Sequence, residues 1–404
     1  MKLLFLTIGN VNDLNLHGIY TDLLKEFKAR GIEVYVAAAA QRRTGLAPGV
    51  LEQSGIHFLR VATGNLTKCG KIEKGISSLR LGGQFRRAIN RHFGGIKFDL
   101  ILYSTPPIVF NSIIKSLKKR TGAASYLLLK DIFPQNAVDL GYFGGRSLIY
   151  KYFRKKETGL YKVSDYIGCM SPANREYLLS RNKRLDPSRV EVCPNALTPR
   201  PKINSDRKAT LSKYGIPHEP MILIYGGNLG RPQGLGFLSE ILLRHKNRED
   251  IFFVIVGSGT EYKKIERDIS DSGVKNAVLL RQMEEREYAA LLSACDIGLL
   301  FLDARFTVPN FPSRLLAYFE QELPVLAATD TSTDIRQVLE QSGAGIWVRS
   351  GDFSAFDGAV QRLAADKERR LTMGAAGRRL LENEYTSEIC CDKILGHLDV
   401  MEAK

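Results

Sequence analysis

The sequence predicts an α/β protein built of two Rossmann-like, doubly wound parallel-sheet domains, and three observations point there. Short runs rich in Val, Ile and Leu recur every 25 to 35 residues. Stretches with helical periodicity separate them, which is the pattern of a parallel sheet covered by helices on both faces. The series then breaks once and restarts, so one sheet gives way to a second. A chain of 404 residues has room for two or three domains, each with its own core.

In the first half, strands are expected at residues 3–8, 33–38, 57–61, 100–104, 125–129, 166–169 and 190–193. The opening MKLLFLTIG has the outline of a leader, but it is short and runs into Asn10, Asn12 and Asp13 without a small-residue cleavage site. It reads better as a first buried strand. Residues 197–220 carry four prolines and no strand, as a linker does. The second series is expected at 221–225, 252–256, 277–280, 297–301, 324–327 and 346–348. The domains then run over 1–200 and 201–384, and ligands of such sheets bind beyond the carboxyl ends of the strands. A cleft faced by both domains is the expected site.

Composition excludes several classes. With 44% hydrophobic and 25% charged residues the chain is an ordinary globular protein, not a disordered, collagen-like or coiled-coil one. No run approaches the ~18 apolar residues of a spanning helix. The six cysteines (69, 169, 193, 295, 390 and 391) form no CxxC pair and no metal spacing, as expected of reduced thiols in the cytoplasm. Net charge is +15, and it is unevenly divided. Residues 1–200 hold 32 Lys plus Arg against 14 Asp plus Glu, whereas residues 201–404 hold 26 against 29. Such asymmetry points to a polyanion met by the first half, either nucleic acid or an acidic membrane. A generic basic surface accounts for the charge equally well.

Three clusters could carry chemistry. Residues 225–235 (YGGNLGRPQGL) follow a strand and enter a helix; glycines let backbone N–H groups approach a phosphate, and a helix start favours an anion. Gly226, Gly227, Asn228, Gly230 and Gln233 are therefore candidate diphosphate residues, the alternative being glycines that only turn the chain. A second glycine turn, Gly257 and Gly259 in VGSGTE, lacks the third glycine of a dinucleotide fingerprint. The third cluster, residues 301–314 (FLDARFTVPNFPSR), opens a helix near Pro312 and Ser313 and brings Arg305, Asn310 and Arg314 to a helix start, where arginines hold phosphates or merely lie at the surface. Residues 64–71 imitate a P-loop but have one residue too many between the glycines and no following Ser or Thr. In the first half, Asp131 follows an apolar strand, and His17 with Gly18 lies just past the first one. Alone, each is more often structural.

Taken together, GGNLGRPQG, the VCPNA segment holding Asn195, GSGTE and PNFPSRLLAYFEQELPVLA resemble the retaining, GT-B-fold glycosyltransferases of family 4. DIFPQNAVDLG at 131–141 is most similar to bacterial O-antigen and capsule enzymes. The resemblance spans nearly the whole chain. It implies a nucleotide-sugar donor on the C-terminal domain, an acceptor on the N-terminal one, and a C-terminal helix at about 385–404 packing back on the first domain. It further implies that Gly227, Asn228, Arg231, Gln233, Ser313 and Arg314 face the donor, with Asp131, His17, Gly18 and Asn195 toward the sugar and acceptor. Asp131, Arg231 and Arg314 are the catalytic candidates. Two departures stand out. Relatives commonly carry Arg and Lys where this chain has Asn228 and Gln233, so positive charge must come from Arg231, Arg305 or Arg314. Pro309 and Ala317 stand where the family's paired glutamates are expected, and Glu320 reads as a solvated residue.

The reaction this implies is retaining transfer of a sugar, an amino sugar from a UDP-sugar, onto a lipid-linked (undecaprenyl-diphosphate) saccharide in cell-surface polysaccharide synthesis at the inner face of the cytoplasmic membrane. Stabilising the departing nucleoside diphosphate is its main requirement. No Asp-x-Asp occurs, so no metal or other cofactor is expected. Basic, partly amphipathic segments at 79–93, 112–120 and 150–156 would meet anionic lipid. Alternatives are another GT-B enzyme, such as a nucleotide-sugar epimerase, or a basic nucleic-acid binder; no standard RNA-binding motif is present.

Overall fold

A computed structural model describes residues 1–9, 11, 13–67 and 69–402; Asn10 and Asn12 of the opening segment, Lys68 of the P-loop-like segment and the last two residues lie outside the described residues. The chain divides into two compact units. Unit 1 is Met1–Thr198 with the C-terminal helix Ser387–Glu402, and unit 2 is Pro199–Thr386.

Unit 1 holds an eight-stranded sheet: β1 (Lys2–Thr7), β2 (Glu33–Gln41), β3 (Gly49–Gln53), β4 (Ile56–Thr63), β5 (Leu100–Ser104), β6 (Ala124–Leu129), β7 (Tyr166–Cys169) and β8 (Val190–Val192). Their order is β3-β4-β2-β1-β5-β6-β7-β8. All pairs are parallel except β3 with β4. The central strands are buried along their length, which is why they read as unbroken apolar runs. The antiparallel β3 was not expected. Its residues alternate between partly and fully exposed, so no buried run marked it.

Unit 2 holds six parallel strands: β9 (Met221–Asn228), β10 (Ile251–Ser258), β11 (Ala277–Arg281), β12 (Ile297–Phe301), β13 (Val325–Thr329) and β14 (Gly345–Arg349). The order is β11-β10-β9-β12-β13-β14. Both sheets reverse direction of growth in the middle, unit 1 between β1 and β5 and unit 2 between β9 and β12. Those are the switch points where ligands of doubly wound sheets bind.

The unit 2 switch point is split open. β9 keeps register with β10 from Met221–Ile251 to Asn228–Ser258, but pairs with β12 only at Leu223–Ile297 and Ile224–Gly298. Beyond that, the Tyr318 hydroxyl, from the helix Arg314–Glu320, takes the place of the missing ladder. It accepts from Gly226 N (3.3 Å) and donates to Leu299 O (2.9 Å). Glycine is needed on both sides. A Cβ on Gly298 would lie 2.5 Å from the Tyr318 ring, and one on Gly226 would overlap the Tyr288 hydroxyl.

Three sequence expectations change. Glu320 is buried rather than solvated; its carboxylate accepts from Arg200 N at 2.9 Å. In segment 79–93, Leu81, Phe85, Ile89 and Phe93 face the core, as do Ile113, Ile114 and Leu117 in segment 112–120. Those side chains fold the domain and are not available to a membrane. What stays outward is Leu79 (66% exposed) at the start of the first segment, Tyr152 in the third, and Leu148 (82%) and Ile149 just before it in the helix Leu148–Val163.

Tyr318→Phe leaves Gly226 N–H and Leu299 C=O without their bridge in a buried setting. It is expected to lower unfolding free energy by about 1–3 kcal/mol in urea titrations, the cost of an unmet buried polar group. An unchanged midpoint would show that the hydroxyl does not hold the split.

Candidate functional site

In unit 2 the glycine turn leaves β9 at the open switch point. Gly227 has φ +124°, a conformation that favours glycine, and the turn runs through a short 3₁₀ segment Arg231–Gln233 into the helix Leu235–His245. Arg314 packs against it. Its guanidinium sits 4.5 Å from the Tyr225 ring centroid, donates to Gln233 Oε1 at 2.6 Å, and lies 3.6 Å from where a Gly227 Cβ would be. Its Nη1 is buried with no acceptor in hydrogen-bond geometry. The Tyr225 hydroxyl donates to Asn228 O at 2.9 Å. Gly257 and Gly259 end β10 pressed against the backbone of Gly227 and Leu229, and Gly230 lies beside the Asn228 amide. Gly226, Gly227, Asn228, Gly230, Gln233, Gly257, Gly259 and Arg314 thus form one cluster, with fixed backbone groups and one arginine beside them.

The remaining unit 2 candidates differ. Arg305 makes a two-pronged ion pair with Asp303 (2.8 and 2.7 Å), and Arg231 acts electrostatically on the same carboxylate. Burial pushes the Asp303 carboxyl up, but hydrogen bonds from Arg305 and both arginine charges hold it below the usual carboxylate range. The Asp303 loop is tied to the glycine turn by Asp303 N donating to Pro232 O at 3.1 Å. Asn310 donates to Val308 O and accepts from Thr333 at its carbonyl, shaping its own loop. Ser313 is exposed and its hydroxyl does not cap the helix.

In unit 1 the candidates gather at the carboxyl ends of β1, β5 and β6. Asp131 N donates to Thr105 Oγ1 at 3.1 Å, while the Asp131 carboxylate makes no hydrogen bond or ion pair to any described residue. Burial raises its carboxyl to about 6. The neighbouring Lys130 amine is lowered by burial and donates to Pro194 O at 3.3 Å, next to the buried Asn195. His17 Nδ1 lies 2.6 Å from Asp22 Oδ2, and Gly18 O accepts from Asp22 N and Thr21 Oγ1. Burial raises the Asp22 carboxyl, yet the His17 hydrogen bond and charge together with Thr198 N bring it below its ordinary value. His17 is therefore held by Asp22 and anchors the loop after β1.

Sequence reading passed over Tyr20, Lys130, Tyr225, Tyr288 and Tyr318. Burial pushes the Tyr20 hydroxyl up to about 12, and the Asp131 charge adds to the rise. Tyr318 stands four residues after Arg314, so helical spacing alone puts both on one face. Among the described residues no group of three or more His, Cys, Asp or Glu is placed to hold a metal ion, and no helix is long and apolar enough to cross a membrane.

The architecture, α/β with two parallel-sheet domains, is that of the GT-B glycosyltransferases. Residues 206–380 match the family model "Glycosyl transferases group 1". The chain is 22% identical over 303 residues to "Probable glycosyltransferase WbjE" of Pseudomonas aeruginosa, covering 73% of each chain. Among solved structures it is similar to sucrose-phosphate synthase from Thermosynechococcus elongatus (TM-score 0.76, 16% identity, 100% of both chains). It is also similar to Anabaena Alr3699/HepE in complex with UDP and glucose (TM-score 0.72, 14% identity, 99% of this chain and 100% of that one). Fold and matched segment together make this chain a glycosyltransferase.

Asp131 provides a pH test. Its folded value lies above the ordinary carboxylate value of 3.8, so folding favours the protonated form and stability is lost as pH rises from about 4 through about 6. Asp131→Asn is expected to raise unfolding free energy by roughly 1–2 kcal/mol at pH 8, allowing for partial exposure, and by nothing measurable at pH 4. A variant that gains equally at both pH values would remove the burial argument.

Proposed function

We propose that this chain is a retaining glycosyltransferase of family 4 that moves a sugar, an amino sugar such as N-acetylfucosamine, from a UDP-sugar onto an undecaprenyl-diphosphate-linked saccharide in O-antigen or capsule synthesis. The observation that carries the reading is the glycine turn at the unit 2 switch point with the Arg314 guanidinium packed against it. Backbone N–H groups at the turn and a fixed arginine suit a diphosphate whose negative charge grows as the glycosidic bond breaks. Because Asn228 and Gln233 are neutral, Arg314 supplies the charge at the turn, with Gln233 orienting it. The exposed Arg231 closes over the donor from the same loop.

Retention follows if the acceptor hydroxyl attacks on the face the diphosphate leaves, passing its proton to the departing phosphate oxygen. No protein base is then required. Asp131, raised by burial and with no side-chain partner among the described residues, can accept a hydrogen bond or carry a proton near neutral pH at the acceptor edge of unit 1. UDP is the preferred donor nucleotide because Alr3699/HepE, of similar fold, was solved with UDP and glucose.

Unit 1 takes the acceptor. The excess of basic residues in the first half of the chain, and the outward Leu148, Ile149 and Tyr152 beside Lys151, Lys155 and Lys156, fit attachment to the anionic inner face of the cytoplasmic membrane.

Thermal-shift measurements should show stabilisation by UDP and UDP-sugars over GDP and ADP; no response to any nucleotide would sink the transferase reading. In titrations with UDP, Arg314→Ala should weaken affinity by about tenfold or more, roughly 1.4 kcal/mol, and Arg231→Ala by several-fold. Unchanged affinity in both variants would remove the diphosphate assignment.

A further inference from the structure

The carboxyl edge of the unit 1 sheet carries a feature that the transfer chemistry does not use. A groove of about 1320 Å³ passes the ends of β2 and β4. Ala40 and Ala62 line it from the strands, Leu46 and Pro48 from the connection to β3, and Ile72 and Ile76 from the helix Lys71–His92.

That helix has two apolar faces. Leu81, Phe85 and Ile89 point into the core. Ile72 (81% exposed), Ile76 (48%) and Leu79 (66%) follow at spacings of four and three, so they share one side of the helix, and no described residue covers them. An apolar stripe left open beside a cavity marks a binding surface more often than an accident of composition.

The surroundings of the stripe are cationic. Lys74, Arg80, Arg86, Arg87 and Arg91 stand on this helix, whose one acid is Glu73. Arg42 and Arg80 both line the groove; Arg42 is paired with Glu73 at 2.8 Å, whereas Arg80 has no ion-pair partner among the described residues. Gln41, Thr63, Ser77 and Gln84 interrupt the lining, but its exposed surface is mainly apolar, and with an unneutralised arginine at the rim it suits a hydrocarbon chain bearing an anionic head. The volume also exceeds that of an ordinary small-molecule pocket, so a monosaccharide would leave it largely empty.

We propose that this groove holds the hydrocarbon segment of an anionic, lipid-linked acceptor, with the phosphate toward Arg80 and the saccharide directed along the sheet edge to the β1–β5 switch point. β2 is the neighbour of β1, so the path from groove to switch point stays on one edge of one sheet. The inference rests on the acceptor reading above and adds where the lipid is bound.

The test uses the full chain and a fluorescent farnesyl monophosphate, with binding followed by anisotropy. The double variant Ile72→Asp/Ile76→Asp should weaken binding at least tenfold, and Arg80→Glu at least threefold, while UDP still raises the melting temperature of both as it does in the unaltered chain. That shift also reports that the variants are folded. Unchanged affinity in the double variant overturns the proposal, as does competition by inorganic phosphate alone that abolishes binding. Binding to phosphatidylglycerol vesicles with none to the monomeric probe also overturns it, because the stripe would then meet a bilayer surface. If nucleotides fail to stabilise the chain but the probe is lost in the double variant, the transferase reading falls and the groove assignment stands.

Discussion

The Tyr318 hydroxyl, set where β9 and β12 stop pairing, is the constraint on which the donor half depends. A parallel sheet that separates its central strands exposes backbone groups that must find partners. Tyr318 satisfies Gly226 N–H and Leu299 C=O at once, so the strands part without leaving either buried group unmet. The ring fits because residue 298 is glycine, and the neighbouring Tyr288 fits because residue 226 is glycine. Four residues earlier on the same short helix, Arg314 is carried to the Tyr225 ring and to Gln233. One helix therefore both opens the switch point and supplies it with a cation.

Electrostatics are distributed to match. Unit 2 places its arginines individually: Arg305 is neutralised by Asp303, Arg314 retains a buried donor, and Arg231 stays at the surface. The first half of the chain instead carries a diffuse excess of 32 basic over 14 acidic residues, much of it on helices rather than at the carboxyl edge of the sheet. At that edge the groups beside the β1–β5 switch point are few, half-buried and shifted: Asp131 raised, Lys130 lowered, Tyr20 raised. Perturbation of several titratable groups in one place by burial is a mark of functional edges, although structural networks produce it too.

The α/β architecture was legible because buried parallel strands leave continuous apolar runs, such as Leu100–Ser104 and Val325–Thr329, that no other element produces at that length. β3 was not legible, since a half-exposed edge strand leaves no such run. The glycine turn could be read locally because its backbone demands are written in adjacent residues. The Arg314–Gln233 contact could not, because 81 residues separate the partners and only the fold brings them together. Periodicity likewise found amphipathic helices at 79–93 and 112–120 but could not say that the sheet covers their apolar faces, nor that a second stripe at Ile72, Ile76 and Leu79 remains open. Glu320 was misread for the same reason: its partner, Arg200 N, lies 120 residues away.

The central claim is that the donor diphosphate sits on the glycine turn of unit 2. Hydrogen–deuterium exchange with and without a UDP-sugar tests it at the backbone groups themselves. Slowed exchange concentrated in amides of residues 226–235 and in the loop approaching Arg314 is the predicted result. Unaltered exchange there, with protection appearing elsewhere in the chain, would contradict it.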